Sequence, residues 1–340
     1  MSNQPLVSII VPVYNAESTI GTTLSALTNQ TLKSIEIICI NDGSTDGTEK
    51  ILAEAAQNDS RIKVISTPNQ GSCKAREEGL TQAAGSYVGF CDADDIPLPD
   101  MHEALYENAI QNSSDIVVCP YTREKNGTTL AAEMVKPNRY VMPVNSKSGW
   151  ITAVNTALWN KLYKKEVLAG RIRLSNPPKI GEDAIFFLSV IPGANRLSFI
   201  HEPKYRYQVQ DGSAMSSVSE EEVEAILAAW KELRSYVEEK SADYLQVIDS
   251  AAFIHLGVSL PVVLSRQGDA HLALKAFSFL NENFPLHRKS SFFAAGYAKE
   301  YPDFMKLACM AHKLYGAKLL IPALKAYQAA TGLLGIDVKW

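Results

Sequence analysis

Over the first 120 residues, short β-branched apolar runs alternate with segments patterned as helices, and few folds accept that alternation. The apolar runs cover residues 6–13, 35–40, 62–65, 87–91 and 115–119. Between them, residues 17–30 carry Ile20, Leu24 and Leu27 at helical spacing, and 45–58 carry Ile51, Leu52 and Ala55. Segments 72–84 and 98–112 read as helices as well. Strands separated by helices of this length form βαβ units, hence a mainly parallel sheet with helices on both faces. The runs VSIIV and IEIICI are apolar throughout rather than alternating, as expected of strands covered on both sides.

In an open sheet of this kind, ligands bind outside the carboxyl ends of the strands. Those ends read Pro12-Val13-Tyr14-Asn15, Asn41-Asp42-Gly43-Ser44, Pro68-Asn69-Gln70-Gly71 and Asp92-Ala93-Asp94-Asp95. Polar and acidic residues thus gather along one edge. Residues 121–150 are polar and predict a hairpin or loop, and a tyrosine-rich strand is expected near Tyr205-Arg206-Tyr207. From Ser216 the pattern changes. Ser219 and Glu222 form a capping-box signature, followed by Val223, Ile226, Leu227, Trp230, Leu233 and Val237 at helical spacing. Further helices are expected over about 243–264, 268–282 and 302–330, so the last part of the chain reads as a separate helical region.

The whole chain has 340 residues, enough for two units at about 150 residues per domain. Its net charge of −4 argues against nucleic acid as a partner, because phosphate neutralisation needs a basic surplus. Five cysteines, none spaced as CxxC, suit a reduced cytoplasmic chain. The N-terminus lacks the pattern of a secretion signal, and no run of 18 uninterrupted apolar residues predicts a membrane span.

Four segments hold residues suited to chemistry. In FCDADD, Asp92 and Asp94 would point the same way in extended backbone, and crowded carboxylates call for a cation or donors. Hard oxygen ligands suit Mg2+ or Mn2+; a solvated acidic turn before a helix is the alternative. In NDGSTDGT, Asp42 either accepts from a ligand or belongs to a well-capped βα loop. In NQGSCKAREEG, Lys74 and Arg76 open a helix, where cations oppose the dipole; a bound pyrophosphate would explain them, and so would a solvated face. In GEDAIFF, Glu182 and Asp183 stand at a helix start, a common place for acids without any function. His201 reads as structural or as a ligand. Trp159, Tyr163, Tyr205 and Tyr207 read as core, with sugar stacking as the alternative. Neither GxGxxG nor GxxxxGK[ST] occurs, so dinucleotide and P-loop binding lack support.

Taken in order, VSIIVPVYN, NDGSTDGT, NQGSCKAREEG, FCDADD, NKLYKK and GEDAIFF resemble the family 2 glycosyltransferases, over about residues 6–215. The resemblance implies a GT-A fold in residues 1–215, with a nucleotide-binding half to about 120 and an acceptor half over 121–215, followed by a helical region over 216–340. It implies an inverting transfer of sugar from a nucleotide diphosphate donor, UDP-linked, with a divalent cation (Mn2+ or Mg2+). Pro12 and Tyr14 are similar to the wall of the nucleobase pocket, and Asp42 to the acceptor for the uracil NH. Asn69 and Arg76 match positions near the base and diphosphate. Asp92 resembles the first DxD acid, near the ribose or sugar, and Asp94 the metal-holding one. Asp183 matches the general base. Arg206 and Ser213 fall in a segment resembling the mobile loop over the diphosphate. Glu77 stands where the family often has asparagine. By the same analogy the acceptor is a saccharide or lipid-linked saccharide, in assembly of surface polysaccharide, teichoic acid or lipopolysaccharide. A non-catalytic sugar-nucleotide or glycan binding module is the rival reading. For the helical tail, packing on the catalytic domain, homo-oligomer formation and peripheral contact at the inner membrane face, with residues 314–336 as an amphipathic stretch, all stay open.

Overall fold

The structure is a computed structural model, and it describes residues 4–133, 140–209, 218–293, 310, 312 and 313. The first part runs β1 (Val7–Val13), α1 (Ile20–Thr28), β2 (Ile35–Asn41), α2 (Thr48–Asn58), β3 (Ile62–Ser66), α3 (Ser72–Gln82), β4 (Tyr87–Phe90), β5 (Ile96–Pro97), α4 (Met101–Asn112) and β6 (Ile116–Val118). It continues with β7 (Tyr121–Lys125), β8 (Thr128–Glu133), β9 (Val141–Pro143), β10 (Lys161–Lys164), α5 (Lys165–Leu168), α6 (Glu182–Val190), β11 (Arg196–Phe199) and β12 (Tyr205–Gln208). The helices α7 (Glu220–Ser241), α8 (Leu245–Ile254), α9 (Leu260–Gln267) and α10 (Ala270–Asn283) follow.

Eight strands form the central sheet in the order β3-β2-β1-β4-β10-β6-β11-β9. The first four are mutually parallel, as the alternating pattern predicts. The second half departs from it, because β10 inserts antiparallel between β4 and β6. A smaller sheet, ordered β5-β12-β7-β8, stands beside the strand ends. It contains the expected tyrosine-rich strand and a β7–β8 hairpin. That hairpin turns on Asn126 and Gly127, both at positive φ (49° and 76°), as a tight two-residue turn requires.

Side chains on β1 alternate between two cores. Ile10 faces Ala75 and Leu80 of α3, whereas Ile9 and Val11 belong with Leu24 of α1, Leu52 of α2 and Leu105 of α4. Among the described residues, the helical region does not form a second core. Trp230, Leu233, Phe253 and Leu280 fall in the same cluster as Ile10 and Phe187, so the core runs straight across the boundary drawn at residue 215. Within 220–265, an 18-residue window of mean hydropathy 1.8 has the composition of a membrane span, although its apolar run is interrupted. In the fold 83% of that window is buried inside the protein, which is the environment of a core helix. Apart from residues 310, 312 and 313, the helix expected over 302–330 lies outside the described residues, as does the whole of 314–336.

Candidate active site at the strand ends

The loops after β1 and β2 lock together first. Asn15 adopts positive φ (47°), which lets its Oδ1 accept from the Thr45 amide at 2.8 Å while its own amide donates to Ser44 Oγ at 3.0 Å. Tyr14 is consequently left half exposed, with Pro12 partly buried behind it. Asp42 is 3% exposed and holds the loop before α3. Its Oδ1 accepts from the Gln70 amide (2.9 Å) and Thr67 Oγ1 (3.3 Å), and its Oδ2 from the Gly71 amide (2.7 Å). The loop comes so near that a Cβ at Gly43, whose φ is +73°, would lie 2.9 Å from the Asn69 nitrogen. Asn69 itself is exposed. Asp42, Thr67, Gln70, Lys74 and Arg173 line a cleft of about 220 Å³.

One turn into α3, Arg76 is buried, and three carboxylates converge on its guanidinium. Asp92 Oδ1 lies at 3.0 Å, Glu182 Oε1 at 3.3 Å and Asp183 Oδ1 at 3.3 Å. This answers why a cation opens the helix: the dipole's small penalty is outweighed by the three carboxyl groups around it. Lys74 is used similarly, on Glu77 and the Leu174 carbonyl. Burial opposes Arg76's charge, yet Asp183, Asp92 and Glu182 hold its pKa above the ordinary value. Burial raises Asp183, Arg76 pulls it back down, and Asp92 adds to the rise. Glu182 is pushed up to about 7 by burial and then by Asp183. Arg76 Nε and Asp183 Oδ1 are buried without a hydrogen-bond partner among the described residues.

The acids after β4 differ from the extended arrangement expected. The strand ends at Phe90, and the Asp95 amide donates to the Asp92 carbonyl at 3.2 Å, closing a turn. Asp95 is fully buried. Its Oδ2 accepts from Tyr205 Oη at 2.8 Å and its Oδ1 from the Gln208 amide at 2.8 Å, so this acid struts the loop against β12. Burial, then Asp92 and Asp94, raise its pKa well above the carboxylate range. With Asp92 on Arg76 and Asp95 on β12, no trio of Asp, Glu, His or Cys stands ready for a metal among the described residues. Mg2+ and Mn2+ ordinarily take one or two protein carboxylates and complete their shell with water and substrate phosphates.

Trp159 stacks between Tyr205 (4.5 Å) and Tyr207 (5.5 Å) and is buried, while Tyr163 is fully buried. Core packing, not sugar stacking, explains Trp159, Tyr163 and Tyr205. His201 is exposed against the Tyr140 ring. Arg206 pairs with Glu124 at 3.5 Å and borders a separate cleft of about 520 Å³ between α1 and β5. Ser213 lies outside the described residues. Two contributors had no sequence signal of their own. Glu222, noted only for its capping pattern, accepts from the Lys179 (2.6 Å) and Ile180 (3.1 Å) amides, which lead into Gly181-Glu182-Asp183. Lys161 is wholly buried within NKLYKK.

A mixed α/β sheet with acids at its strand ends and helices on both faces is the GT-A architecture that the resemblance implied. The chain belongs to glycosyltransferase family 2, whose profile, described as Glycosyl transferase family 2, matches residues 8–170. The relative named "Putative glycosyltransferase EpsH", of Bacillus subtilis strain 168, is 31% identical over 269 residues, covering 75% of this chain and 76% of that relative. In fold the chain is similar to residues 1–349 of S. aureus TarS in complex with UDP-GlcNAc, at a TM-score of 0.66 and 21% identity, covering 95% of this chain and 92% of TarS 1–349. It is also similar to the mannosyltransferase PcManGT of Pyrobaculum calidifontis, in complex with GDP-Man and Mn2+, at a TM-score of 0.53 and 16% identity, over 99% and 89% of the two chains. The protein is therefore a glycosyltransferase, and the rival reading as a non-catalytic module is set aside.

Proposed function

We propose that this glycosyltransferase moves a sugar from a UDP-linked donor to a hydroxyl of a saccharide or lipid-linked saccharide, with inversion, and that Asp183 takes the acceptor's proton. The observation that carries the reading is the Arg76 cluster, in which one buried cation joins Asp92 on the donor side to Asp183 on α6. An inverting displacement needs its base across from the leaving group, and a buried carboxyl whose pKa is raised is a stronger base than a solvated one.

The remaining assignments follow from chemistry at each position. Pro12 and Tyr14 border the base pocket. An ionised carboxylate has about four acceptor positions, of which Asp42 spends three on Thr67, Gln70 and Gly71, leaving one for a uracil NH. Asn69 and Arg76 approach base and diphosphate, and Asp92 the ribose or sugar. Asp94 would hold Mn2+ or Mg2+ together with donor phosphates, and the metal would stabilise negative charge on the leaving diphosphate. PcManGT, described with GDP-Man and Mn2+, lends that analogy. TarS 1–349, described with UDP-GlcNAc, lends the one for the donor. We place the enzyme in the cytoplasm, in assembly of cell-surface glycan.

The test has two arms. Melting shifts across a panel of nucleotide sugars with Mn2+ should single out a UDP-sugar. On that donor, Asp183→Asn should lower turnover by about 10²–10⁴, the usual worth of a general base, while calorimetric UDP affinity stays unchanged. Near-normal turnover in Asp183→Asn would remove it from the role.

A further inference from the structure

Among the described residues, Tyr14 and Tyr140 hold the only tyrosine, phenylalanine or tryptophan rings left exposed. Tyr14 follows β1, on the donor side. Tyr140 precedes the edge strand β9, at the far end of the sheet. Strands β4 and β6 both run against β10, and β11 is parallel to β6, so the carboxyl end of β11 lies on the same edge as that of β4. The Phe199 amide donates to the Tyr140 carbonyl at 2.9 Å, which extends the β9–β11 ladder and sets Tyr140 opposite Phe199. His201, two residues on, is its diagonal neighbour across the strands, and the two rings meet with centres 3.6 Å apart. Leu197 and Phe199 face the core that holds Ile185 and Phe187 of α6, whereas Ser198 turns to Asn108 of α4 at 2.5 Å. By that alternation Tyr140 lies on the α6 face, the face of Asp183.

His201 is exposed as well. Neither its ring nitrogens nor the Tyr140 hydroxyl have a hydrogen-bond partner among the described residues. The pair is therefore a small aromatic slab edged by polar atoms, at the strand ends and on the acceptor side. We propose that Tyr140 and His201 form a subsite for the acceptor glycan, on which a pyranose ring stacks by its C–H face while its hydroxyls meet the His201 nitrogens and Tyr140 Oη. This deepens the proposed function and rests on its reading of the acceptor as a saccharide. A pyranose matches the slab because its C–H groups suit the negative face of an aromatic ring and its hydroxyls both donate and accept. Position decides which sugar it is. Arg76 ties Asp183 to Asp92, just past the end of β4, and from β4 to β11 there are three strand spacings, about 14 Å. The sugar that offers the reacting hydroxyl must lie beside Asp183, so the one on Tyr140 belongs further back along the same chain. The donor's base, at the ends of β1 and β2, is more distant still.

An array of oligosaccharides, from monosaccharides to hexasaccharides of hexose, N-acetylhexosamine and uronate, tests this without donor or turnover. The parent should be retained on longer chains of one composition and not on the monosaccharides. Tyr140→Ala, at an exposed position, should keep the parent's Tm and UDP affinity and bind those chains about tenfold more weakly, the worth of one lost stacking contact. Tyr140→Trp, which keeps a ring, should hold them. Saturating UDP should leave the retention in place. The proposal is overturned by equal retention of parent and Tyr140→Ala, by loss in Tyr140→Trp, by displacement with UDP, or by an array that retains no parent. With the donor from the melting screen, Tyr140→Ala should raise KM for a long acceptor and leave kcat unchanged. A fall in kcat at unchanged KM would also overturn it. Full turnover in Asp183→Asn would sink the base assignment and leave the array result standing.

Discussion

At the scale of single residues, the site stores carboxyl groups in states they would not hold in water. Glu182 is pushed from its ordinary 4.5 to about 7, and Asp183 and Asp95 are raised by burial. Each binds a proton in the folded chain over a range where the unfolded chain has released it. The stability that Glu182 contributes therefore falls as pH rises from about 4.5 to about 7, and the raised Asp183 and Asp95 work in the same direction. Glu182→Gln should narrow the Tm difference between pH 5 and pH 8, on the order of 1–3 kcal/mol of stability at the alkaline end. Equal pH slopes in variant and parent would contradict the raised acidity. Tyr205→Phe addresses the strut. It strips a donor from buried Asp95 and an acceptor from the Asp92 amide, and should cost about 1–3 kcal/mol in denaturant unfolding.

At the scale of elements, α3 does most of the assembling. The loop that leads into it hangs from Asp42, its second turn presents Arg76, and Gly79 lets it lie directly on β1. A Cβ at Gly79 would run into the Ile10 side chain, so Gly79→Ala must push the helix off the sheet. The expected cost is about 1–3 kcal/mol, with UDP affinity weakened because Arg76 moves with the helix. Calorimetry and thermal melts together check this; unchanged affinity would mean that α3 does not set the site. The loops flanking this helix were readable beforehand because Asp, Asn and Gly act locally at turns. The trio on Arg76 was not, since its partners lie 16 and 106 positions away or more. Nor was β10, whose four residues enter the sheet between strands remote in sequence.

At the scale of the whole molecule, the described helices of the C-terminal region share one apolar core with the α/β part. Trp230 and Phe253 share a core with Phe187, and Glu222 on α7 takes both amides that lead into the Glu182-Asp183 turn. A chain ending at residue 215 should therefore lack a cooperative melt and elute as aggregate. A monomeric peak with a sharp transition would show the two parts to be independent. Glu222→Ala should lower turnover while sparing UDP affinity, because it loosens only the acceptor-side turn. The alternation of apolar runs settled the parallel half-sheet, and the polar strand ends pointed to the candidate site, because burial periodicity and turn chemistry are written in neighbouring residues. Which acid pairs with Arg76, which acid becomes a strut, and which lysine disappears into the core were decided only in three dimensions. Those outcomes depend on electrostatics in a low-dielectric interior, and that interior exists only once distant segments have packed.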